Sequence, residues 1–185
     1  LHELASIVGG MLLLPATAEV IAGFGAAAEA APEELSGIAN VMVAPPLPFI
    51  PENRHGDKFA AIVACWSGDP AEGASQFKAF HDVAEVKAEM VGPVPYPAIN
   101  AAFDGLFPTG IRQYWKGNFV KKLTDKAIAA HVQHGPNAPT VSSTMHLYPI
   151  NGACQRVAPE ATAFGHRDAD FSMVILAASD DPAQD

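Results

Sequence analysis

Apolar positions recur along this chain in two rhythms, one of alternation and one of helical spacing, and together they predict a mixed fold. Leu1 to Val8 reads as a strand, Gly9-Gly10 as a tight turn, and Met11 to Leu14 as a second strand. Thr17 to Ala31 is spaced as a helix, with Thr17 as cap, Val20, Phe24 and Ala27 on one face, and Pro32 beyond its end. Gly23 and Gly25 weaken that helix. Gly37 to Val43 predicts a strand, followed by a proline-rich loop over Pro45 to Pro51. Phe59 to Trp66 is almost continuously apolar, as a central strand covered on both faces should be.

Asp69-Pro70-Ala71-Glu72 has the composition of a helix start, with Asp69 as cap and Pro70 in the first turn, and this helix would present Phe77 and Phe80. A short strand near Ala84 to Lys87, a proline-rich turn and a short helix over Ala98 to Phe103 follow. In the stretch Ile111 to Phe119, strand alternation puts Arg112, Tyr114, Lys116 and Asn118 on one side. Ile111, Trp115 and Phe119 share the other side, expected to pack against helices. A helix opens at Thr124, with Leu123 and Ile128 spaced as a hydrophobic staple, and ends before Gly135-Pro136. Val141 to Tyr148, Ala153 to Val157 and Phe171 to Ala177 complete the strands. Near the end, Asp181 and Pro182 suit the cap and first position of a further helix. The order is mixed and the G-x-G-x-x-G dinucleotide fingerprint is absent. The expected class is α+β: a mainly antiparallel sheet with helices packed on one face.

The length of 185 residues suits one domain, large enough to bury about 70% of its unfolded surface. Charged residues are 17% of the chain, below the ~25% usual in soluble domains, which suggests a compact core and a large buried contact. A formal net charge of −9 excludes a nucleic-acid partner, which needs a basic stripe. Lys121-Lys122 is too small a cluster to alter this. The apolar run Met11 to Leu14 is too short to span a membrane, and Glu3 spoils a signal peptide, so no membrane partner and a cytoplasmic location are expected. Cys65 and Cys154 sit in apolar surroundings and read as free thiols rather than a disulfide or zinc ligands.

Tyr114 and Lys116 are the first candidates for chemistry. A phenol beside an ammonium can bind a substrate hydroxyl, and a desolvated lysine can act as a base. On a solvated outer face the same pair would be ordinary. A second polar face alternates along Ser142, Thr144, His146 and Tyr148, and a neighbouring strand would bring His146 and Tyr148 beside Tyr114 and Lys116. His131 and His134 lie three apart on a helix without an evident third metal ligand. Ser142-Ser143 lacks the turn of a serine nucleophile.

Tyr114-Trp115-Lys116 followed by Leu123-Thr124-Asp125 resembles the substrate domain of FAD-linked oxidases of the berberine-bridge-enzyme type. In the same order along the chain come Ala44-Pro45-Pro46-Leu47-Pro48-Phe49, Val91-Gly92-Pro93-Val94-Pro95-Tyr96, Phe103-Asp104-Gly105-Leu106-Phe107-Pro108, Asn151-Gly152-Ala153 and Ala161 to Arg167. The resemblance implies that residues 1–185 are a single substrate-binding domain, with an N-terminal FAD-binding domain and a short C-terminal segment outside this chain. The ends read the same way, since the chain opens on Leu1 inside a strand and stops just after Pro182.

The implied activity of the whole protein is oxidation of a C–H bond next to an alcohol or amine by hydride transfer to FAD, the fragment alone being inactive. FAD would be held mainly by the absent domain. Tyr114 and Lys116 would be catalytic, with His146, Tyr148 and Gln155 lining the substrate. Gln155-Arg156 stands where some plant members carry a catalytic glutamate, and neither side chain is a good base at neutral pH. His166-Arg167 matches a family pair with a structural role, pinning the loop before Phe171. Implied partners are a small-molecule substrate, the FAD-binding domain, and a second copy through the exposed sheet face. The competing reading is a small-molecule binding module without redox activity.

Overall fold

The computed structural model describes residues 6–184. Strand β1 (Ser6–Pro15) leads into helix α1 (Ala18–Ala30), then β2 (Leu35–Val43) and β3 (Lys58–Trp66). Two helical turns, α2 (Gly73–Gln76) and α3 (Lys78–His81), precede β4 (Ala88–Pro95) and the short α4 (Tyr96–Asn100). The second half comprises β5 (Arg112–Val120), α5 (Asp125–His134), β6 (Thr144–Pro149), α6 (Ala153–Arg156) and β7 (Phe171–Ser179). The seven strands form one sheet in the order β4-β1-β3-β2-β6-β7-β5, and every pairing is antiparallel. The fold is α+β, as expected.

Register assigns each strand residue to a face. Leu12, Ile62, Ala39 and Leu147 fall on one side through the pairs Leu12↔Ile62 and Ala39↔Leu147. There they meet Val20 and Phe24 of α1, Phe77 and Phe80 around α3, and Ile128 of α5 in one buried cluster. Phe24 stacks on Phe80 at 6.1 Å and tilts against Phe171 at 6.4 Å. Each such side chain contributes roughly 1.5–3 kcal/mol by leaving water. Thr17 caps α1 by accepting from Val20 N, and Thr124 caps α5 by accepting from Ala127 N. On the other side a smaller cluster forms where Ala44 and Ile50 of the proline-rich loop cover Leu13, Met42, Phe59 and Ala61. The central strand β3 is therefore buried on both faces near its start, as its apolar run predicts.

Several expectations are corrected. Gly9-Gly10 is no turn: β1 runs straight through it, paired on both sides. A Cβ at Gly10 would stand 2.7 Å from Val91 Cγ2 and 2.9 Å from Phe77, so that glycine permits close packing. The part of that expectation lying on Leu1 to Ala5 is outside the described residues. The strand placed near Ala84 to Lys87 is instead Ala88–Pro95, because Pro93 and Pro95 suit an edge strand, whose outer amides need no partner. Asp69 accepts from Ala71 N, yet helix begins only at Gly73 and is broken into two short turns. Ala153 to Val157 is a helical turn rather than a strand. Asp181 accepts from Ala183 N at the head of a final turn, as expected.

Candidate functional site

The helices α1, α2, α3 and α5 cover one face of the sheet; the opposite face is free of helices except for α4, whose Ile99 lies over Gly9 near the β4 edge, and its middle carries a polar cluster. β6 offers Thr144, His146 and Tyr148 at alternate positions, so all three project to that helix-free side. His146 Nδ1 lies 2.7 Å from the Tyr148 hydroxyl, and its Nε2 bonds to Thr144 Oγ1. Burial pushes the imidazole down to about 4, so it is neutral at pH 7, with one ring nitrogen donating and the other accepting. Burial also raises the Tyr148 phenol. Hydroxyls on both sides of a neutral imidazole can donate or accept, so the proton pattern along this row can run in either direction.

Asn40 faces His146 directly across β2 and β6. It is only 7% exposed. Its amide nitrogen reaches the Met42 sulfur at 3.5 Å, while Oδ1 is buried with no partner. A buried acceptor without a partner is costly unless something else satisfies it. A cavity of about 360 Å³ reaches Tyr148, lined by Ile38, Val63 and Ile99 and also by Phe24 and Ala28 of α1.

Around this cluster the helix-free face is apolar and aromatic. Trp115 is 50% exposed and Met90 56% exposed. The Trp115 ring lies 5.9 Å from Phe107, and its Nε1 donates to Gln113. Phe119 stacks on His166 at 4.1 Å and meets Phe164 edge-on. Arg167 donates to Cys154 O and Thr162 Oγ1 and sits over the Phe164 ring, so the His166-Arg167 pair pins its loop as expected. Trp115 thus points away from the helices, against expectation. β5 is an edge strand, so the helix core does not extend far enough to take its ring.

The structure does not gather the expected site residues onto one wall. β7 separates β5 from β6. Lys116 pairs with Ile175 and His146 with Val174, adjacent positions on β7 that point to opposite faces. Tyr114 and Lys116 therefore lie on the helix side of the sheet, beyond its helices. Tyr114 is 65% exposed, and neither side chain hydrogen-bonds to any described residue. His146 and Tyr148 stand together on the helix-free side. Gln155 lies on α6 with its amide donating to Ala169 O, and Arg156 is paired with Glu33. Asn40 was missing from the sequence-based set. Its signal was there, as the one polar residue in Ile38 to Val43.

Among the described residues no group of three or more His, Cys, Asp or Glu is placed to hold a metal ion. Both cysteines are free thiols, half-buried rather than buried in the core. No described helix is long and apolar enough to cross a membrane.

No protein-family profile matches the sequence, and neither does any curated protein. Solved structures do match in fold. BBE-like 1 of Physcomitrella patens aligns at a TM-score of 0.72 with 15% identity, over 99% of this chain and 41% of that one. CrmK, a flavoenzyme of a shunt-product recycling mechanism in caerulomycin biosynthesis, aligns at 0.71 with 17% identity, over 100% and 40%. BBE-like 28 of Arabidopsis thaliana aligns at 0.70 with 15% identity, over 94% and 37%. At such identities the likeness is one of fold: the chain has the architecture of one part of these proteins, spanning 37–41% of their length.

Proposed function

We propose that this chain is the substrate-binding part of a flavin-dependent oxidoreductase, and that its helix-free sheet face is the wall against which substrate and flavin meet. The observation that carries this reading is the row Thr144–His146–Tyr148, facing Asn40, in the middle of that face. Exposed Trp115 and Met90 at its borders are the kind of surface a partner domain covers. Such a face suits the ring end of FAD rather than its phosphates, since its described residues offer apolar and aromatic groups and no glycine-rich anion cradle. The phosphate end of FAD therefore belongs to the rest of the protein, which matches the fraction of length the chain spans.

FAD, when bound, accepts a hydride from the substrate carbon next to the alcohol or amine. The chain's own residues position that carbon and handle the proton released when the C=O or C=N bond forms. Tyr148 is placed to hydrogen-bond the substrate hydroxyl or amine. His146, kept neutral by burial, accepts from or donates to the phenol and fixes its orientation. Asn40 stands beside His146 on the neighbouring strand and adds a buried polar group behind this row. Tyr114 and Lys116, on the far face, take no part in this wall. Covering the helix-free face excludes water, and an isolated chain would instead self-associate through it.

The test is the complete protein, expressed with ample riboflavin: one portion is precipitated with acid to locate any yellow colour, and a second, native portion is screened anaerobically with primary and secondary alcohols and amines. Yellow colour in the pellet or in the supernatant, together with bleaching of the native protein by one of these compounds, supports the proposal. A folded, colourless protein overturns it and favours a small-molecule binding module without redox activity.

A further inference from the structure

The hydroxyls at the two ends of the Thr144–His146–Tyr148 row allow either proton direction by themselves, and the surroundings of Thr144 select one. Thr144 is only 4% exposed. Its Oγ1 bonds to His146 Nε2 and to no other group among the described residues. Were Nε2 protonated, Oγ1 would have to accept, and the threonine's own O–H would be buried without an acceptor, which is costly. With the hydroxyl donating to an unprotonated Nε2, both atoms are satisfied. The imidazole is neutral, since burial holds it down to about 4, so its single proton is then on Nδ1.

Nδ1–H donates to the Tyr148 oxygen, 2.7 Å away. The phenol has no other hydrogen-bond partner among the described residues, so its own proton is left for a ligand. Tyr148 is part-buried and reaches the cavity of about 360 Å³, whose described lining contains no Lys, Arg, Asp, Glu or His. A ligand at this phenol therefore meets a hydrogen-bond donor and no carboxylate.

We propose that Thr144 is a positioning residue that fixes the His146 tautomer, so that Tyr148 donates to a substrate oxygen and selects alcohols over alkylamines. The proposal rests on the reading of the helix-free face as the substrate wall and narrows its substrate class. A hydroxyl oxygen has lone pairs to accept the Tyr148 proton. An alkylamine, with a proton affinity like that of lysine, is an ammonium at pH 7.5 and has no lone pair. Nothing in the described lining balances its charge.

The tautomer is read from long-range ¹H–¹⁵N correlations of His146 in the 185-residue chain at pH 7.5, where Nδ1–H and Nε2–H give different patterns. The expected result is Nδ1–H in the unaltered chain and in Thr144→Ser. Thr144→Val, which keeps the shape and removes the hydroxyl, should lose that single tautomer. In the complete protein, the compound that reduces the flavin fastest should be an alcohol, with the amine of the same carbon skeleton at least tenfold slower. Thr144→Val should lower kcat/KM for that alcohol about tenfold, with Thr144→Ser within about threefold. An Nε2–H tautomer in the unaltered chain overturns the proposal. So does a Thr144→Val pattern identical to it, or an amine that reduces the flavin as fast as its alcohol. A colourless complete protein instead overturns the oxidoreductase reading and the substrate class with it, while the tautomer still decides the role of Thr144.

Discussion

Tyr148 and Tyr114 stand on opposite faces of one sheet, because Tyr148 pairs with Ser172 and Tyr114 with Ala177, positions an odd number of residues apart on β7. No side-chain rotation brings the two phenols to the same substrate. The surroundings differ as sharply. Tyr148 bonds to a buried histidine, whereas Tyr114 is open to solvent at a sheet edge. The proposed site therefore rests on β6 and β2, with β5 contributing aromatic surface through Trp115 and Phe119.

The buried imidazole of His146 predicts a pH-dependent stability. Its proton affinity is lowered on folding, from 6.5 to about 4, so between those values the unfolded chain binds the extra proton and is favoured. Stability is full above pH 6.5 and declines as pH falls toward 4. Linkage gives a loss of about 2 kcal/mol between pH 7.5 and pH 5. His131, also lowered by burial, adds in the same direction. Urea unfolding at the two pH values should show this loss, and His146→Gln should show less of it. An equal pH dependence in the variant would mean that His146 is not the desolvated group the fold makes it.

Gly135 should be intolerant of a side chain. Its backbone is ordinary right-handed helix, so no strain is involved. A Cβ there would stand 2.6 Å from Val41 Cβ and Cγ1, and Val41, 1% exposed, has nowhere to go. Gly135→Ala should cost about 1–3 kcal/mol. Combined with Val41→Ala the loss should be smaller than the sum of the single losses, since the second change removes the clashing Cγ1 while Cβ remains. Strict additivity in urea denaturation would rule out this contact.

Trp115 separates stability from association. Half exposed on an edge strand, it should be replaceable by Ser with a stability change of about 0.5 kcal/mol or less. If the helix-free face is an interface, the same change should lower self-association of the isolated chain, seen in sedimentation velocity. Unchanged association together with marked destabilisation would show Trp115 to be core.

The fold was largely legible in the sequence. The apolar run at Phe59 to Trp66 marked the central strand, and Thr17 and Thr124 marked the helix starts. Glycine and proline misled at two places for one physical reason. They relieve crowding and tolerate edges within strands as readily as they make turns, and only the neighbours decide. Gly10 needed Phe77 and Val91 to be known, while Pro93 needed β4 to be an edge. In the candidate site, alternation along β6 correctly joined Thr144, His146 and Tyr148 on one face. It could not relate that face to Tyr114, because strand order and register are long-range properties. Asn40 was visible only as a polar interruption and gained meaning once β2 was found beside β6.

Which face of the sheet holds the site is decided by anaerobic stopped-flow reduction of the flavin in the complete protein, using whichever alcohol or amine bleaches it fastest, compared across Tyr148→Phe and Tyr114→Phe. Tyr148→Phe should lower the reduction rate at least tenfold, with Tyr114→Phe within about twofold of the unaltered protein. The reverse pattern, loss with Tyr114→Phe and none with Tyr148→Phe, would contradict it and move the site to the helix side of the sheet.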